Sequence, residues 1–400
     1  MIIKPMDYIN RKILPRIEAA LARGKSILFL GPRQTGKTTL IKQKISVDAY
    51  FSLLDPRVRV RYEKDPLLLA KELDLVIEKT GKKPLIFIDE IQKIPQLMDL
   101  IQLLIDADKA QFILTGSSAR KLKHGAQINL LPGRVVIIYM DSLSWQECKN
   151  NTDLDDILIY GSLPNVIMTK GSQNKNDDLY AYTSIYLEEE VRAEALVRNI
   201  GGFARFLELA ASESGSVINA SKLSQFIGVA QSTIADYYQI LEDCLITFRI
   251  DPIIKTKSKR RLIKAPKYLF FDLGVRRACA NEGPTLSLKT LGDLFEQFVG
   301  LELIRYVHMD KPHAKVHYWK DASGPEVDFV LENEQIYIPI EVKWSENPNL
   351  HDAKHLIKFL EDYPNAPHAY IICRTPHAYA IHEKITALPW QEIISLFEKI

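Results

Sequence analysis

The chain has few cysteines, no long apolar run and little net charge. Its four cysteines are scattered over 400 residues without a CxxC pair, which argues against a structural zinc site and fits a reducing, cytoplasmic environment. No segment resembles a signal peptide or approaches the length of a membrane span, so we expect a cytoplasmic protein that does not associate with membranes. A net charge of +2 does not by itself indicate nucleic-acid binding, so any basic surface must be local.

The bulk composition is that of an ordinary globular protein. Hydrophobic residues make up 46% and charged residues 26% of the chain. A chain of 400 residues is too long for one compact core, and it predicts two to four domains.

A phosphate-binding motif follows an apolar segment near the N-terminus. The segment 27–30 reads as a buried strand, 31–38 has the pattern G-x-x-x-x-G-K-[ST], and the residues after it favour a helix. In such a loop the backbone N–H groups surround the β-phosphate of a nucleotide, the lysine bridges the β- and γ-phosphates, and the final hydroxyl contacts Mg²⁺. We therefore predict ATP and Mg²⁺ as cofactors, with these nucleotide-binding residues: Gly31, Pro32, Arg33, Gln34, Thr35, Gly36, Lys37, Thr38 and Thr39.

Two further apolar strands end in polar residues typical of an ATPase. The segment 85–88 runs into Asp89 and Glu90; with Thr38, Asp89 is expected to hold Mg²⁺, and Glu90 to polarise the attacking water. The segment 112–114 runs into Thr115, which we predict to sense the γ-phosphate, with Ser117 as the second candidate. Either hydroxyl can equally cap the following turn.

The order of these segments predicts an α/β P-loop domain with strands near 50–54, 85–89, 111–115 and 135–139. We expect the ATPase core over 1–150 and a helical lid over 151–200, in which 161–164 separates two helices. The pair Gly201-Gly202 indicates a hinge.

A helix–turn–helix pattern follows the expected hinge. Asn219 is expected to cap a helix over 220–227 and Ser232 a second helix over 233–243, before a strand-like segment at 245–250. This predicts a winged helix over 201–264. The second helix carries three acids and no Lys or Arg, so sequence-specific reading of DNA is not expected and packing against protein is an equal alternative.

A basic segment without any acidic residue comes next. Seven Lys or Arg side chains crowd 255–267, at Lys255, Lys257, Lys259, Arg260, Arg261, Lys264 and Lys267. A solvated loop would explain them, but the absence of compensating acids favours phosphate contacts without sequence specificity.

A second catalytic pattern lies in the last quarter of the chain. Asp328 and the run Glu341-x-Lys343 stand on predicted strands, and Glu296 stands on the helix before them. Alternation along the strand would leave Glu341 and Lys343 together on the face opposite the core. Carboxylates at Asp328 and Glu341 would hold Mg²⁺ on a scissile phosphate, and Lys343 would lower the pKa of the attacking water. The pattern resembles the D…ExK pattern of restriction-endonuclease-like cores, and this resemblance implies that Glu296 is the further metal-binding acid that such cores often add from their first helix. A structural α/β domain with surface charge is the alternative.

The chain resembles the prokaryotic AAA+ ATPases that carry a winged helix and a C-terminal PD-(D/E)xK-like domain of unknown function. The matching stretches are 31–39, 86–92, 114–118, 131–134, 161–164, 267–274, 292–299 and 324–343. The resemblance implies a restriction-endonuclease-like domain over 265–400 and a ring- or dimer-forming ATPase. It also implies Arg134, then Arg120, as a γ-phosphate-contacting arginine, although either can be a plain ion-pair residue. Ser162 and Pro132 depart from the family's usual glycine and alanine.

These patterns predict a Mg²⁺-dependent AAA+ ATPase that acts on DNA without sequence specificity. The expected partners are DNA and further copies of the chain, in a ring such as a hexamer. Three versions compete. In the first, the C-terminal core is an ATP-driven nuclease. In the second, the protein is a DNA remodeller or motor whose core grips without cutting. In the third, it is a nucleotide switch whose C-terminal half binds protein.

Overall fold

The computed structural model describes residues 8–118, 133–187, 200–254, 262–285 and 287–398. They divide into two compact units. The first comprises 8–118, 133–143 and 240–246; the second comprises 144–187, 200–239 and the described residues from 247 onward. Within these residues no helix is both long and apolar enough to cross a membrane.

The first unit is built on a five-stranded sheet with the order β2-β3-β4-β1-β5. All neighbouring strands are parallel, so their carboxyl ends share one edge, where ligands bind in such sheets. The strands are β1 Ser26–Leu30, β2 Ala49–Ser52, β3 Leu85–Asp89, β4 Gln111–Gly116 and β5 Val135–Tyr139. The helices are Leu14–Ala22, Lys37–Lys44, Pro56–Lys64, Leu67–Thr80 and Leu97–Asp106, with a 3₁₀ turn at Ile91–Lys93.

The apolar segments predicted as strands form the buried centre of this unit. Every residue of β1 is buried, and β3 and β4 are buried except for their first residues. Such continuous apolar runs are expected in a parallel sheet covered on both faces. The mixed α/β architecture with a parallel sheet is therefore consistent with the predicted P-loop domain.

The second unit begins with short helices and a helix–turn–helix. The helices are Trp145–Cys148, Leu154–Tyr160, Pro164–Met168, Ser172–Ala181, Ile200–Ser212, Ala220–Ile227 and Gln231–Asp243, with a π-helical segment at Tyr182–Leu187. Residues 240–243 of the last of these helices are assigned to the first unit. Strands β6 Thr247–Ile250 and β7 Lys267–Phe270 pair antiparallel. Asn219 accepts a hydrogen bond from the Lys222 N–H and caps its helix as predicted. The next helix starts at Gln231, so Ser232 lies inside it and does not cap it.

The two glycines that were predicted to form a hinge lie inside a helix. Gly201 and Gly202 lie in the first turn of the helix Ile200–Ser212. Glycine weakens a helix by about 1 kcal/mol relative to alanine, but the rest of this helix contributes apolar residues such as Phe203 and Phe206, which are buried. Packing of these side chains therefore outweighs the local preference of the two glycines.

A six-stranded sheet forms the rest of the second unit, with the order β12-β13-β11-β10-β9-β8. Strands β8, β9 and β10 are antiparallel neighbours, whereas β10, β11 and β13 run parallel. The strands are β8 Lys315–Lys320, β9 Glu326–Asn333, β10 Ile336–Val342, β11 Ala369–Cys373, β12 Tyr379–His382 and β13 Ile385–Pro389. The accompanying helices are Leu273–Cys279, Leu288–Met309 and Lys354–Asp362, followed by the 3₁₀ segment Trp390–Glu398.

Two glycines allow a close contact between distant parts of the second unit. A Cβ atom on Gly161 would lie 2.0 Å from Asp272 Oδ1, and one on Gly274 would lie 2.0 Å from the Tyr160 carbonyl oxygen. The buried Asp272 carboxylate accepts hydrogen bonds from the backbone N–H groups of Ser162, Gly274 and Val275. This carboxylate therefore ties the predicted break at 161–164 to the start of the helix Leu273–Cys279.

Candidate functional site

The glycine-rich loop lies at the carboxyl edge of the first sheet, between β1 and the helix Lys37–Lys44. Gly31 passes so close to the neighbouring chain that a Cβ atom would lie 2.2 Å from the Met140 carbonyl oxygen. Gly36 precedes the helix with φ +95°, a left-handed conformation that favours glycine. Both glycines are therefore required by the path of the backbone, which turns the loop over the helix N-terminus.

Lys37 is directed into this loop. Its Nζ donates to the carbonyl oxygens of Gly31 at 2.6 Å and Pro32 at 2.8 Å. Arg11 holds the loop from outside by donating to the carbonyl oxygens of Thr35 at 2.6 Å and Asp141 at 2.8 Å. Arg11 belongs to no motif and lies 24 residues before Thr35, so sequence reasoning had no signal for it.

The other predicted nucleotide-binding residues line the same turn. Thr35 is buried and its hydroxyl donates to the Pro32 carbonyl oxygen at 2.9 Å. Gln34 has φ +61° and is exposed. Arg33 is half-buried and Thr39 is exposed on the first turn of the helix. Their roles toward a nucleotide stay predictions.

Asp89 and Thr38 meet across the sheet edge. The Thr38 hydroxyl lies 3.0 and 2.9 Å from the two carboxylate oxygens of Asp89, and the Tyr50 hydroxyl donates to the same carboxylate at 3.2 Å. Thr115 donates to Asp89 Oδ1 at 2.5 Å and accepts from the Glu90 N–H at 3.1 Å. Its hydroxyl therefore positions both acids at the end of β3, and its role as a γ-phosphate sensor stays a prediction.

A carboxylate and a hydroxyl are the hard oxygen donors that Mg²⁺ prefers. Asp89 and Thr38 present these donors beside the phosphate-binding loop. The residues present therefore fit a Mg²⁺ ion that accompanies a nucleotide.

Glu90 is held next to this pair in a defined orientation. Its Oε2 accepts hydrogen bonds from Gln92 Nε2 and from the Ser117 hydroxyl, the latter at 3.1 Å. Its backbone has φ +61°, which is uncommon for a residue other than glycine and recurs at functional sites. Gln92 also donates to the Ser117 hydroxyl at 3.0 Å. Gln92 thus orients the predicted water-activating acid, a role that the sequence analysis did not assign to it.

Arg134 lies at the opposite edge of the sheet. It directly precedes β5, whose first residue pairs with Ser26, whereas the phosphate-binding loop follows Leu30 at the other end of β1. Its Nε pairs with Asp106 Oδ1 at 2.5 Å on the surface. Because strands rise about 3.3 Å per residue, Arg134 is too far to contact a nucleotide in its own loop. A contact with the nucleotide of another copy stays a prediction, and Arg120 lies outside the described residues.

The second predicted constellation comes together in the second unit. The register that places Ile340 opposite Phe329 brings Glu341 opposite Asp328 on β10 and β9. The Val342 N–H donates to Asp328 Oδ2 at 2.8 Å, and Lys343 Nζ donates to Glu341 Oε1 at 2.6 Å.

Glu296 reaches the same region from the helix Leu288–Met309. That helix packs closely on the sheet, since a Cβ atom on Gly300 would lie 2.5 Å from the Phe329 ring. The charge of Asp328 contributes to raising the pKa of Glu296. The predicted residue Glu296 therefore lies within electrostatic reach of the carboxylates on the strands.

The surroundings of Glu341 differ from the expectation. It was predicted to face away from the core, but only 6% of it is exposed, and both faces of β10 are covered from Ile338 onward. Burial, and then the charge of Asp328, raise the pKa of Glu341 well above its ordinary value. Its Oε2 is buried and has no hydrogen-bond partner among the described residues.

Lys267 is the clearest correction to the predicted basic segment. It was grouped with six other Lys or Arg residues that were predicted to contact phosphates because no acid lies among them, but its side chain is 4% exposed and its Nζ pairs with Glu326 at 2.8 Å and Glu296 at 3.5 Å. The compensating acids come from the sheet and from the helix, which sequence proximity does not reveal. Lys264 is exposed, and residues 255–261 lie outside the described residues.

The charged groups in this cluster shift one another's pKa values. Burial, together with the charge of Asp328, raises the pKa of Glu296 to about 8. Burial also lowers the pKa of Lys267, but the charges of Glu296, Glu326 and Asp328 outweigh it and keep that pKa above its ordinary value. The lysine is therefore a permanent cation. In the described part of the chain, no group of three or more His, Cys, Asp or Glu side chains is arranged to hold a metal ion.

Three family models match successive parts of the chain. Residues 23–149 match the family model of an AAA domain. Residues 151–286 and 291–393 match two models described as domains of unknown function. The first match covers the five-stranded sheet and its phosphate-binding loop.

Similar proteins are known but uncharacterized. Proteins of Mycobacterium bovis and Mycobacterium tuberculosis are each 25% identical over 96% of this chain and 85% of their own length. A protein of Methanocaldococcus jannaschii is 24% identical over 81% of this chain and 76% of its own. A crystal structure of a Vibrio cholerae protein aligns with 94% of this chain and 96% of its own at 11% identity, but its TM-score of 0.20 is too low to indicate a shared fold.

The match to the AAA domain model and the geometry of the first sheet agree. The glycine-rich loop follows β1, and the paired acids end β3 two strands away in the same sheet. The N-terminal part of the chain therefore has the features of an AAA-type P-loop ATPase.

Proposed function

We propose that the protein hydrolyses ATP in its first unit and uses the energy to act on DNA. The orientation of Glu90 is the observation that supports ATP hydrolysis. Its carboxylate is held by Gln92 and Ser117 beside the Asp89–Thr38 pair. Nucleotide binding alone requires the loop and the metal ligands, whereas hydrolysis also requires a group that orients water.

The roles of the residues follow from this arrangement. Lys37, which donates to two carbonyl oxygens of the loop, would turn its ammonium to the β- and γ-phosphates of a bound nucleotide. Thr38 and Asp89 would hold Mg²⁺, which when bound neutralises phosphate charge. Glu90 would accept a hydrogen bond from the attacking water, while Gln92 and Ser117 restrict its rotation. The Thr115 hydroxyl, through its hydrogen bonds to the Asp89 carboxylate and the Glu90 N–H, holds both residues in place at the end of β3.

Two substitutions test hydrolysis separately from nucleotide binding. Lys37→Ala should abolish both tight ATP binding and turnover. Glu90→Gln should keep ATP binding and lower kcat by about 10²-fold or more, because a general base contributes that much. Lys44→Ala, an exposed lysine at the end of the same helix, serves as the control. Undiminished turnover in Lys37→Ala would refute the P-loop assignment.

Action on DNA is supported by the helix–turn–helix and the hairpin that follows it. The two helices precede the antiparallel pair β6–β7, an order found in winged helices. Of the three acids on the second helix, Asp243 is buried and Asp236 is exposed, as are Gln231 and Gln239. The outer face is therefore less acidic than the sequence implied, and the basic residues 255–261 lie between β6 and β7 in the chain.

Salt dependence of DNA binding tests this proposal. Each phosphate contact adds about 0.9 to the magnitude of the slope of log K against log salt. Replacing Lys257, Lys259 and Arg260 with alanine should therefore reduce that slope by about 2.7. Alanine at Lys64, Lys71 and Lys79, three lysines of the first unit, is the matched control. An unchanged slope in the first variant would favour the version in which the second unit binds protein.

A nuclease activity is the second candidate, and the buried Glu341 oxygen without a partner favours it. The order of helix, three antiparallel strands, helix and parallel strand over 288–373 also supports this candidate, because a restriction-endonuclease-like core would have the same order. Asp328 and Glu341 would be the metal ligands and Lys343 the residue that assists the water. Mg²⁺- or Mn²⁺-dependent cleavage of plasmid, linear and branched DNA should disappear in both Asp328→Ala and Lys343→Ala. Absence of cleavage, with ATP hydrolysis still stimulated by DNA, would indicate a remodeller.

A further inference from the structure

The carboxylate cluster of the second unit contains a cation supplied by the chain itself. Lys267 is the first residue of β7, which belongs to the small hairpin and not to the six-stranded sheet. Its side chain nevertheless enters the acidic region, where its Nζ lies 2.8 Å from Glu326 Oε1 and 3.5 Å from Glu296 Oε1. It also lies 5.1 Å from the centre of the Tyr318 ring, which adds a favourable cation–π contact.

The acids around this ammonium include the residues that a nuclease-like core would use for its metal. Glu326 and Asp328 are two residues apart on β9 and therefore share a face of that strand. Glu296 faces them from the helix Leu288–Met309. The ammonium contacts Glu326 and Glu296, and its charge also acts on Asp328. It therefore offsets the negative charge that would otherwise attract a divalent ion.

A second lysine of the cluster has a different environment. Lys320 pairs with Glu326 Oε2 at 2.6 Å, but its side chain is 33% exposed, against 4% for Lys267. Water can therefore solvate Lys320 when it moves away, whereas Lys267 is enclosed. A buried ion pair that loses one partner leaves an uncompensated charge, which is strongly destabilising.

The described acids are not arranged to hold a metal ion, and we propose that Lys267 is the reason: it acts as a built-in cation that pairs with Glu296 and Glu326, beside Asp328, in place of a divalent metal ion. The core is then closed to metal ions in the described conformation, and cleavage of DNA would require Lys267 to leave the cluster. This inference rests on the second candidate function only in treating the cluster as a cation site, and it is independent of ATP hydrolysis. In this proposal Lys267, which was not among the predicted site residues of the core, determines which cation the core accepts.

Binding of Mn²⁺ without nucleotide, measured by electron paramagnetic resonance or calorimetry, tests the proposal. The variants are Lys267→Met, which removes the charge and keeps an unbranched side chain, and Lys320→Met as the matched control. The wild-type protein and Lys320→Met should bind no Mn²⁺ that depends on Asp328. Lys267→Met should bind one additional Mn²⁺ per chain, and Lys267→Met combined with Asp328→Asn should lose it.

Thermal unfolding followed by tryptophan fluorescence shows whether each variant is folded. Lys267→Met should melt at a lower temperature than the wild-type protein because its acids lose their counter-charge, and Mn²⁺ should restore part of that loss. Mn²⁺ should leave the melting temperature of the wild-type protein and of Lys320→Met unchanged. If Lys267→Met does not fold, Lys267→Gln, whose uncharged amide can still donate hydrogen bonds to the acids, takes its place in the same Mn²⁺ titration.

Two results would overturn the proposal. Asp328-dependent Mn²⁺ binding by the wild-type protein would show that the lysine does not exclude the metal, and the nuclease candidate would stand without it. Absence of additional Mn²⁺ binding in every folded Lys267 variant would show that the cluster is not a cation site, which would also remove the nuclease candidate. ATP hydrolysis, measured separately through Lys37→Ala, is unaffected by either result.

Discussion

Replacing Gly161 with alanine should destabilise the second unit far more than an ordinary glycine substitution. Gly161 has φ +73° and ψ −162°, a region that is essentially restricted to glycine. A Cβ atom there would also lie 2.0 Å from Asp272 Oδ1 and 2.6 Å from the Gly274 backbone nitrogen. The new methyl group therefore strains the backbone and displaces a buried carboxylate.

The magnitude follows from these two effects. Forcing a side chain into this backbone region costs about 1–3 kcal/mol. The Asp272 carboxylate accepts from the N–H groups of Ser162, Gly274 and Val275, and each buried donor left without a partner costs about 1–3 kcal/mol. If the carboxylate gives up two of these bonds, the total loss is about 3–9 kcal/mol.

Gly228 provides the matched control in the same unit. It has φ +78° and ψ +38°, and an added Cβ atom would meet no described atom within 4 Å. Gly228→Ala should therefore cost only the left-handed backbone penalty of about 1–2 kcal/mol.

Urea unfolding followed by tryptophan fluorescence measures both variants. All four tryptophans, at positions 145, 319, 344 and 390, belong to the second unit, so the signal reports on that unit alone. Equal losses of unfolding free energy in Gly161→Ala and Gly228→Ala would refute the argument that the contact with Asp272 decides the cost.

Three further predictions concern the ATP site and the buried thiols. Gln92→Ala should lower kcat about tenfold with an unchanged KM for ATP, because Glu90 loses one of its two orienting hydrogen bonds; a raised KM with normal kcat in steady-state assays would contradict this. Thr38→Ala should need more Mg²⁺ for half-maximal hydrolysis than Thr38→Ser, which keeps the hydroxyl, and identical Mg²⁺ titrations would count against a metal-binding role. Burial raises the pKa of Cys148 and of Cys279 to about 12, so both thiols remain protonated until the pH approaches that value; a disulfide reagent at about pH 8 should label them only after denaturation, and labelling of the folded protein would contradict their burial.

The sequence by itself determined the local parts of the ATP site. The apolar segments 27–30, 85–88 and 112–114 became β1, β3 and β4 within one or two residues at each end. An uninterrupted apolar run and a glycine-rich loop are both properties of short stretches, so they can be recognised without knowledge of the fold. The helix at 220–227, with its Asn219 cap, was predictable for the same reason.

Only the tertiary structure decided which distant residues meet. It inserted β4 between β3 and β1, and it placed Gln92 on Glu90. It also buried Lys267 among acids that lie 29 and 59 residues away in the chain. Charge patterns along a sequence do not indicate such contacts, because a lysine in a basic run and a lysine in a buried ion pair look alike until the strands assemble. Packing also carried a helix through Gly201 and Gly202, since burial of apolar side chains along the whole helix exceeds the preference of two residues for a break.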